Sequence, residues 1–182
     1  MMKTLYKWSV AEYHQMIDTG LLAGKPVELL EGEIIEMSPE GIPHSFTNRS
    51  VGNYLRQLLQ GKALISEAHP ITLDNSEPEP DIAVVRLPDT IYATHHPYPQ
   101  DIYWIIEVAD QTLKKDLEEK RITYARNGIP EYWVIDLPHK KLWVFKEPQQ
   151  NKYQNCAEFT TGKINPVTFP DLDVEVNKLL II

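Results

Sequence analysis

Glu107 lies in the run Ile102-Tyr103-Trp104-Ile105-Ile106-Glu107-Val108, a strand apolar on both faces and therefore central in its sheet. A carboxylate there has to be paired with a cation, protonated or bound to a metal, because burying it bare is costly. A Glu paired with an Arg or Lys is the plain alternative to a functional role, and this residue alone does not decide between them. Asp81 follows Glu77-Pro78-Glu79-Pro80 and enters the strand Ile82-Ala83-Val84-Val85. Proline has no amide for a central ladder, so Pro80 ends a loop and Asp81 is held where the sheet meets solvent. A charged turn that keeps the loop soluble would read the same way.

The helix expected from about Thr112 to Asn127 carries more information. At 100° per residue its inward arc holds Leu113, Leu117 and Tyr124, and Asp116 and Lys120 fall in the same arc. Lys114, Lys115, Glu118, Glu119 and Arg126 fall outside it. A lysine that had room to face water thus sits on the core-facing stripe, with Asp116 as its i, i+4 partner. Snorkelling of the Lys120 stem towards solvent is the structural alternative. Two strand-end acids and an inward lysine suit Mg²⁺ or Mn²⁺, which take one or two protein carboxylates and keep several waters. The ammonium would stand where phosphate charge develops, so the substrate class is a phosphodiester.

These residues need a sheet and a helix to position them. Ser9 and Glu12 have capping-box spacing ahead of Tyr13, Met16 and Ile17, which predicts a short first helix. Val27 to Leu30 and Glu33 to Met37 flank Glu31-Gly32 as a hairpin. Residues 44 to 60 form an amphipathic helix, with Val51, Tyr54, Leu55, Leu58 and Leu59 on one face. Strands follow at Leu64 to Glu67, Asp81 to Val85 and Tyr103 to Val108. After the second long helix, ended by Gly128 and Pro130, come Glu131 to Asp136, Lys141 to Lys146 and Tyr153 to Glu158. The class is α/β or α+β, a mixed β-sheet flanked by helices.

At 182 residues and 21.0 kDa the chain fits a single domain over 1–182, and its prolines punctuate that domain rather than divide it. The single cysteine, Cys156, excludes an internal disulfide and any zinc site needing two thiolates, and points to a reducing compartment. The apolar run Ile102 to Ile106 is far short of a membrane span, and residues 1–8 lack a signal-peptide core, so the cytoplasm is the expected location. A net charge of −8 argues against gripping nucleic acid through the overall field. Locally the balance reverses: residues 111–126 carry Lys114, Lys115, Lys120, Arg121 and Arg126 against Asp116, Glu118 and Glu119. Arg49 and Arg56 add to that patch, which suits a phosphate backbone.

The series Pro80-Asp81, Glu107-Val108, Asp116 and Lys120 resembles the PD-(D/E)XK nuclease superfamily, with its lysine moved to the following helix. More narrowly, the chain resembles the Uma-two family of bacterial restriction-type endonucleases. That likeness includes Glu28-Leu29-Leu30-Glu31-Gly32-Glu33, Met37-Ser38-Pro39, His44, Glu79 to Val85, Thr112, Tyr124, Gly128 and Glu131 to Asp136. It implies a restriction-endonuclease-like fold, Mg²⁺- or Mn²⁺-dependent cleavage of DNA, and a homodimer. It also implies that Asp81, Glu107 and the Val108 carbonyl hold the metal. Lys120 would orient or deprotonate the attacking water, Asp116 would position Lys120, and Glu28 and His44 would contact the metal's waters or support its ligands. Two departures stand out. Ala109 occupies the superfamily's usual lysine position. Asp110 stands where the family often has serine, and there it either adds charge or caps the helix.

Other chemistry is absent from the pattern. His95-His96 lies in an extended loop where adjacent rings do not converge on one metal, and no nucleophile elbow, Walker loop or dinucleotide fingerprint occurs. Trp104, Trp133 and Trp143 read as core. Two rival functions remain: a catalytically silent module that binds nucleic acid or protein on the same fold, and a Mg²⁺-dependent hydrolase of small phosphate esters. Ile122, on the outward arc, is a candidate contact between copies.

Overall fold

Pro80 and Gly128-Ile129-Pro130 bracket the two strands and the crossover helix on which the candidate residues sit, and a computed structural model describes residues 4–181 around them. Six strands form one sheet in the order β3(Leu64–Glu67), β4(Ile82–Val85), β5(Ile102–Ala109), β6(Glu131–Asp136), β7(Lys141–Gln149), β8(Lys152–Phe159). Only β5 and β6 run parallel; every other neighbour in this sheet is antiparallel. The mixed sheet expected from the sequence is therefore the one found. The parallel pair needs a crossover, and the helix after β5 provides it.

Alternation along the strands divides the core in two. Trp104, Ile106 and Val108 of β5, with Trp133 and Ile135 of β6, pack under helix α2(Ile42–Leu58) through Val51 and Leu55. The same face is covered by the C-terminal segment, through Ile164, Val174, Val176 and Leu179. Ile105, Ala109, Tyr132 and Val134 face the other way, against Tyr124 and Ile129. Glu107 shares that second face. Trp104 and Trp133 are fully buried, whereas Trp143 is half-buried. Within α2, Gly52 lies where a Cβ would strike the Glu67 carboxylate, which the Arg56 guanidinium holds one turn further on.

The first helix, α1(Val10–Asp18), has the capping box read from Ser9 and Glu12. The hairpin of β1(Val27–Leu30) and β2(Glu33–Glu36) turns through Glu31 and Gly32, both at positive φ (50° and 73°). It docks through one bridge, the Glu77 N–H donating to the Leu29 carbonyl at 2.7 Å, which brings Glu28 towards the sheet. Two short strands, β9(Lys163–Ile164) and β10(Val174–Glu175), carry no sequence signal of their own.

The helix expected over 112–127 is present but not uniform. It consists of Leu113–Lys115, a π-helical stretch Asp116–Lys120, and Arg121–Arg126, together termed α3. The Arg121 N–H donates to the Asp116 carbonyl, an i→i+5 bond, and the Tyr132 hydroxyl donates to the same carbonyl at 3.2 Å. Wider turns of this kind inside α-helices occur frequently at functional sites. Among the described residues, no helix is long and apolar enough to cross a membrane.

Candidate active site

The β4–β5 ladder stops at Ile82↔Ile106, because Pro80 cannot continue it. One step further, Asp81 and Glu107 stand opposite each other, and β5 keeps only its β6 neighbour. The Val108 N–H then turns to a side chain, donating to Asp81 Oδ2 at 2.6 Å. The Asp81 N–H approaches Glu107 Oε2 at 3.5 Å. The two acids predicted at neighbouring strand ends are thus brought together by a ladder that ends early.

Lys120 enters from α3 and is 6% exposed. Its Nζ donates to Glu107 Oε1 at 2.9 Å and lies 3.9 Å from Glu28 Oε2. The Tyr124 hydroxyl donates to the same Glu107 oxygen at 2.8 Å. No contact within ion-pair distance joins Lys120 to Asp116, so the i, i+4 pairing expected on a regular helix is not found. Asp116 instead accepts the Thr112 hydroxyl at 2.7 Å. Carboxylates on the sheet and hairpin draw Lys120 away from its neighbour on the helix.

Glu28, 2% exposed, is no surface hairpin charge. It accepts Lys115 Nζ at 2.6 Å and the Glu79 N–H at 3.2 Å. Helical periodicity puts Lys115 on the outer arc, yet its long side chain reaches back across the half-buried rim to Glu28. His44, in the first turn of α2, sets Nε2 3.1 Å from Asp81, and its Nδ1 is 3.5 Å from Glu40 Oε2. Asp110 does not cap α3: Thr112 occupies the cap position, and Asp110 borders a recess of about 170 Å³ beside His44. His95 stacks on Tyr98 at 4.8 Å, and His96 stands 4.0 Å from the buried Glu77 carboxylate, away from this site.

The electrostatics follow from burial. Burial raises the pKa of Glu107, with Lys120 opposing it and Asp81 and Asp116 adding to it. Asp116 is raised for the same first reason. Burial also opposes the charge on Lys120, but Glu107, Glu28 and Asp116 together hold its pKa above the ordinary lysine range. Burial works against Glu28 ionisation too, yet Lys120 and Lys115 bring its pKa below the usual value. Asp81, Glu107, Asp116 and Glu28 are met by two ammoniums, Lys115 and Lys120, and by the His44 ring beside Asp81, whose pKa burial lowers but Asp81 and Glu40 together raise, so acids outnumber the permanent cations. A divalent cation would offset that excess, and Glu107 Oε2, with no donor nearer than the Asp81 N–H at 3.5 Å, is the least satisfied of these oxygens. The donor set therefore fits Mg²⁺ or Mn²⁺. Sequence reasoning missed Tyr124 as a hydrogen-bond donor, Lys115 and Glu40. Only the inward position of Tyr124 gave a signal.

Comparison with known proteins bears on the fold and the family. No curated relative matches the chain. The crystal structure of "a putative nuclease belonging to DUF820 from Anabaena variabilis" superposes with a TM-score of 0.70 at 18% identity, covering 91% of this chain and 97% of that one. That likeness is one of fold. The Uma2 family, described as "Putative restriction endonuclease", matches residues 10–177. With the match running through β4, β5 and α3, the chain belongs to the Uma2 family.

Proposed function

We propose that the chain is a metal-dependent endonuclease that hydrolyses DNA phosphodiester bonds, working in the cytoplasm as one domain over residues 1–182 and as a homodimer. The observation that carries this reading is the buried ammonium of Lys120, 2.9 Å from Glu107 at the point where Asp81 leaves the ladder. Asp81, Glu107 and the Val108 carbonyl would hold Mg²⁺ or Mn²⁺, which supplies Lewis acidity to the scissile phosphate. Lys120, ringed by Glu107, Glu28 and Asp116, stays an ammonium; it orients the attacking water and faces the charge that grows on the phosphate. Asp116 acts on Lys120 through its charge rather than by contact. Glu28 and Lys115 fix the far side of Lys120, and Tyr124 holds Glu107 in place. His44 keeps Asp81 turned inward. Of the basic residues of α3, Lys115 pairs with Glu28, Arg126 with Glu31, and Arg121 lies over the Phe145 ring, so the exposed Lys114 is the one that would meet the backbone. Ile122, 37% exposed on the outer side of α3, marks a surface for a second copy.

One observation favours the silent-module reading: Glu107 Oε1 is already occupied by Lys120 and Tyr124, as in a purely structural ion pair. Calorimetric titration with Mn²⁺ separates the two. Wild type should bind, Asp81→Ala and Glu107→Ala should not, and plasmid nicking should require Mn²⁺ or Mg²⁺ and stop with EDTA. Mn²⁺ binding without cleavage of any DNA form would move the module to first place. Hydrolysis of a chromogenic phosphate ester, with none of DNA, would support the small-ester hydrolase instead.

A further inference from the structure

One nitrogen donor and two oxygen donors meet where α2 begins. Ligand atoms of Glu40, His44 and Asp81 all lie within 4.8 Å of one another, the one such cluster of three or more among the described residues. The His44 ring is wedged in place, its side chain 13% exposed. Nε2 faces the Asp81 carboxylate at 3.1 Å. Nδ1 is buried without a hydrogen-bond partner, although Glu40 Oε2 stands 3.5 Å away and out of line. The 170 Å³ recess lined by Glu40, Gly41, His44 and Asp110 opens beside the ring. A ligating histidine presents one nitrogen to the metal and gives the N–H of the other to a carboxylate, which fixes its tautomer. Asp81 and Glu40 flank His44 in that order.

We infer that the cation held at Asp81 takes a nitrogen ligand, Nε2 of His44, with Glu40 orienting the ring from Nδ1, so that the site selects Mn²⁺ over Mg²⁺. This rests on the reading of Asp81 as a metal ligand. It changes the part given to His44, from a group that orients Asp81 to one that touches the ion. Oxygen donors alone suit Mg²⁺ and Mn²⁺ alike. An imidazole adds affinity for ions later in the transition series and gives little to Mg²⁺. Glu40 lies just before Gly41, the cap residue of α2, so the loop that leads into the helix places the orienting carboxylate beside the ligand in its first turn.

The test is made on the full chain with Mn²⁺ and Mg²⁺ as probes. Electron spin-echo spectroscopy of the Mn²⁺-loaded wild type should show nitrogen modulation, and His44→Gln should lose it. By calorimetry, His44→Gln should weaken Mn²⁺ about tenfold or more, and Mg²⁺ by less than about threefold. Mn²⁺ that binds in an Asp81-dependent way without nitrogen modulation overturns the inference and leaves the proposed function standing. Equal weakening of both ions by His44→Gln does the same, since it makes His44 an orienting group for Asp81. Failure of wild type to bind Mn²⁺, or binding unchanged in Asp81→Asn, overturns both readings. The wild-type spectrum needs no variant, so the test survives a variant that misfolds.

Discussion

Glu107 on β5 and Glu131 on β6 are both buried carboxylates on adjacent parallel strands, 3% and 0% exposed, and they face opposite sides of the sheet. Glu131 is saturated. Its Oε1 accepts the Trp133 indole N–H at 2.7 Å with Lys146 Nζ at 3.3 Å, and its Oε2 accepts the Val167 N–H at 2.7 Å. These donors tie the C-terminal segment to the sheet. Glu107 is lopsided. Lys120 and Tyr124 crowd Oε1, whereas Oε2 has only the 3.5 Å approach of the Asp81 N–H and lies beside a second carboxylate. Burial raises the pKa of both residues, so burial is not what separates them. The difference is what remains unmet. A structural acid has its lone pairs filled by fixed donors, while a ligand keeps an oxygen free and a like charge near it.

The comparison can be broken in order of expected effect. Lys120→Ala should reduce plasmid cleavage to the buffer background. It should also destabilise the fold by about 3–5 kcal/mol in urea unfolding, because Glu107 is left buried without its cation. Wild-type cleavage in this variant would make Glu107 and Glu131 equivalent, two structural ion pairs.

Next come the paired isosteres. Glu107→Gln should weaken Mn²⁺ binding about tenfold or more, since a carboxamide is a poor ligand for a hard cation. Glu131→Gln should leave Mn²⁺ affinity unchanged and cost about 1–3 kcal/mol of stability, through loss of charge-assisted hydrogen bonds to Trp133 and Val167. Calorimetry and urea melts of the two variants sharpen the contrast if the effects separate, and erase it if they do not. The smallest effect belongs to Tyr124→Phe. Removing its hydroxyl should cost about 1 kcal/mol of stability, with Lys120 still holding Glu107. A larger loss in cleavage than in stability would show that the hydroxyl holds Glu107 at its working angle.

Reading the sequence located much of this site because its signals are local. Pro80 forbids a ladder amide, and the structure ends the β4–β5 pairing one residue after Asp81. The apolar run around Glu107 made it central, and it lies in the third of six strands with both neighbours paired. Lys120 sat on the inward arc by periodicity, and it is buried. The same periodicity failed on Lys115, because a long flexible side chain on the rim can reach inward whatever its arc. It failed on the Asp116–Lys120 pair as well. A local spacing rule is worth a few tenths of a kcal/mol, and two buried carboxylates from elsewhere outweigh it.

The hairpin, the six strands of the main sheet, the three helices, the acids at the end of a broken ladder and the inward lysine were determined by the sequence itself, through propensity, proline and hydrophobic period. Tertiary structure alone decided the company those residues keep. Glu28 reaches Lys115 across 87 residues and His44 meets Asp81 across 37, each through the docking of separate elements on the sheet. It also decided that one buried glutamate is filled and the other left open. Both stand in apolar strands of similar composition, and their difference lies in donors from Val167, Lys120 and Tyr124 that only folding brings within reach. Hydrogen bonds and charges act over a few ångströms in space, and sequence distance does not measure that.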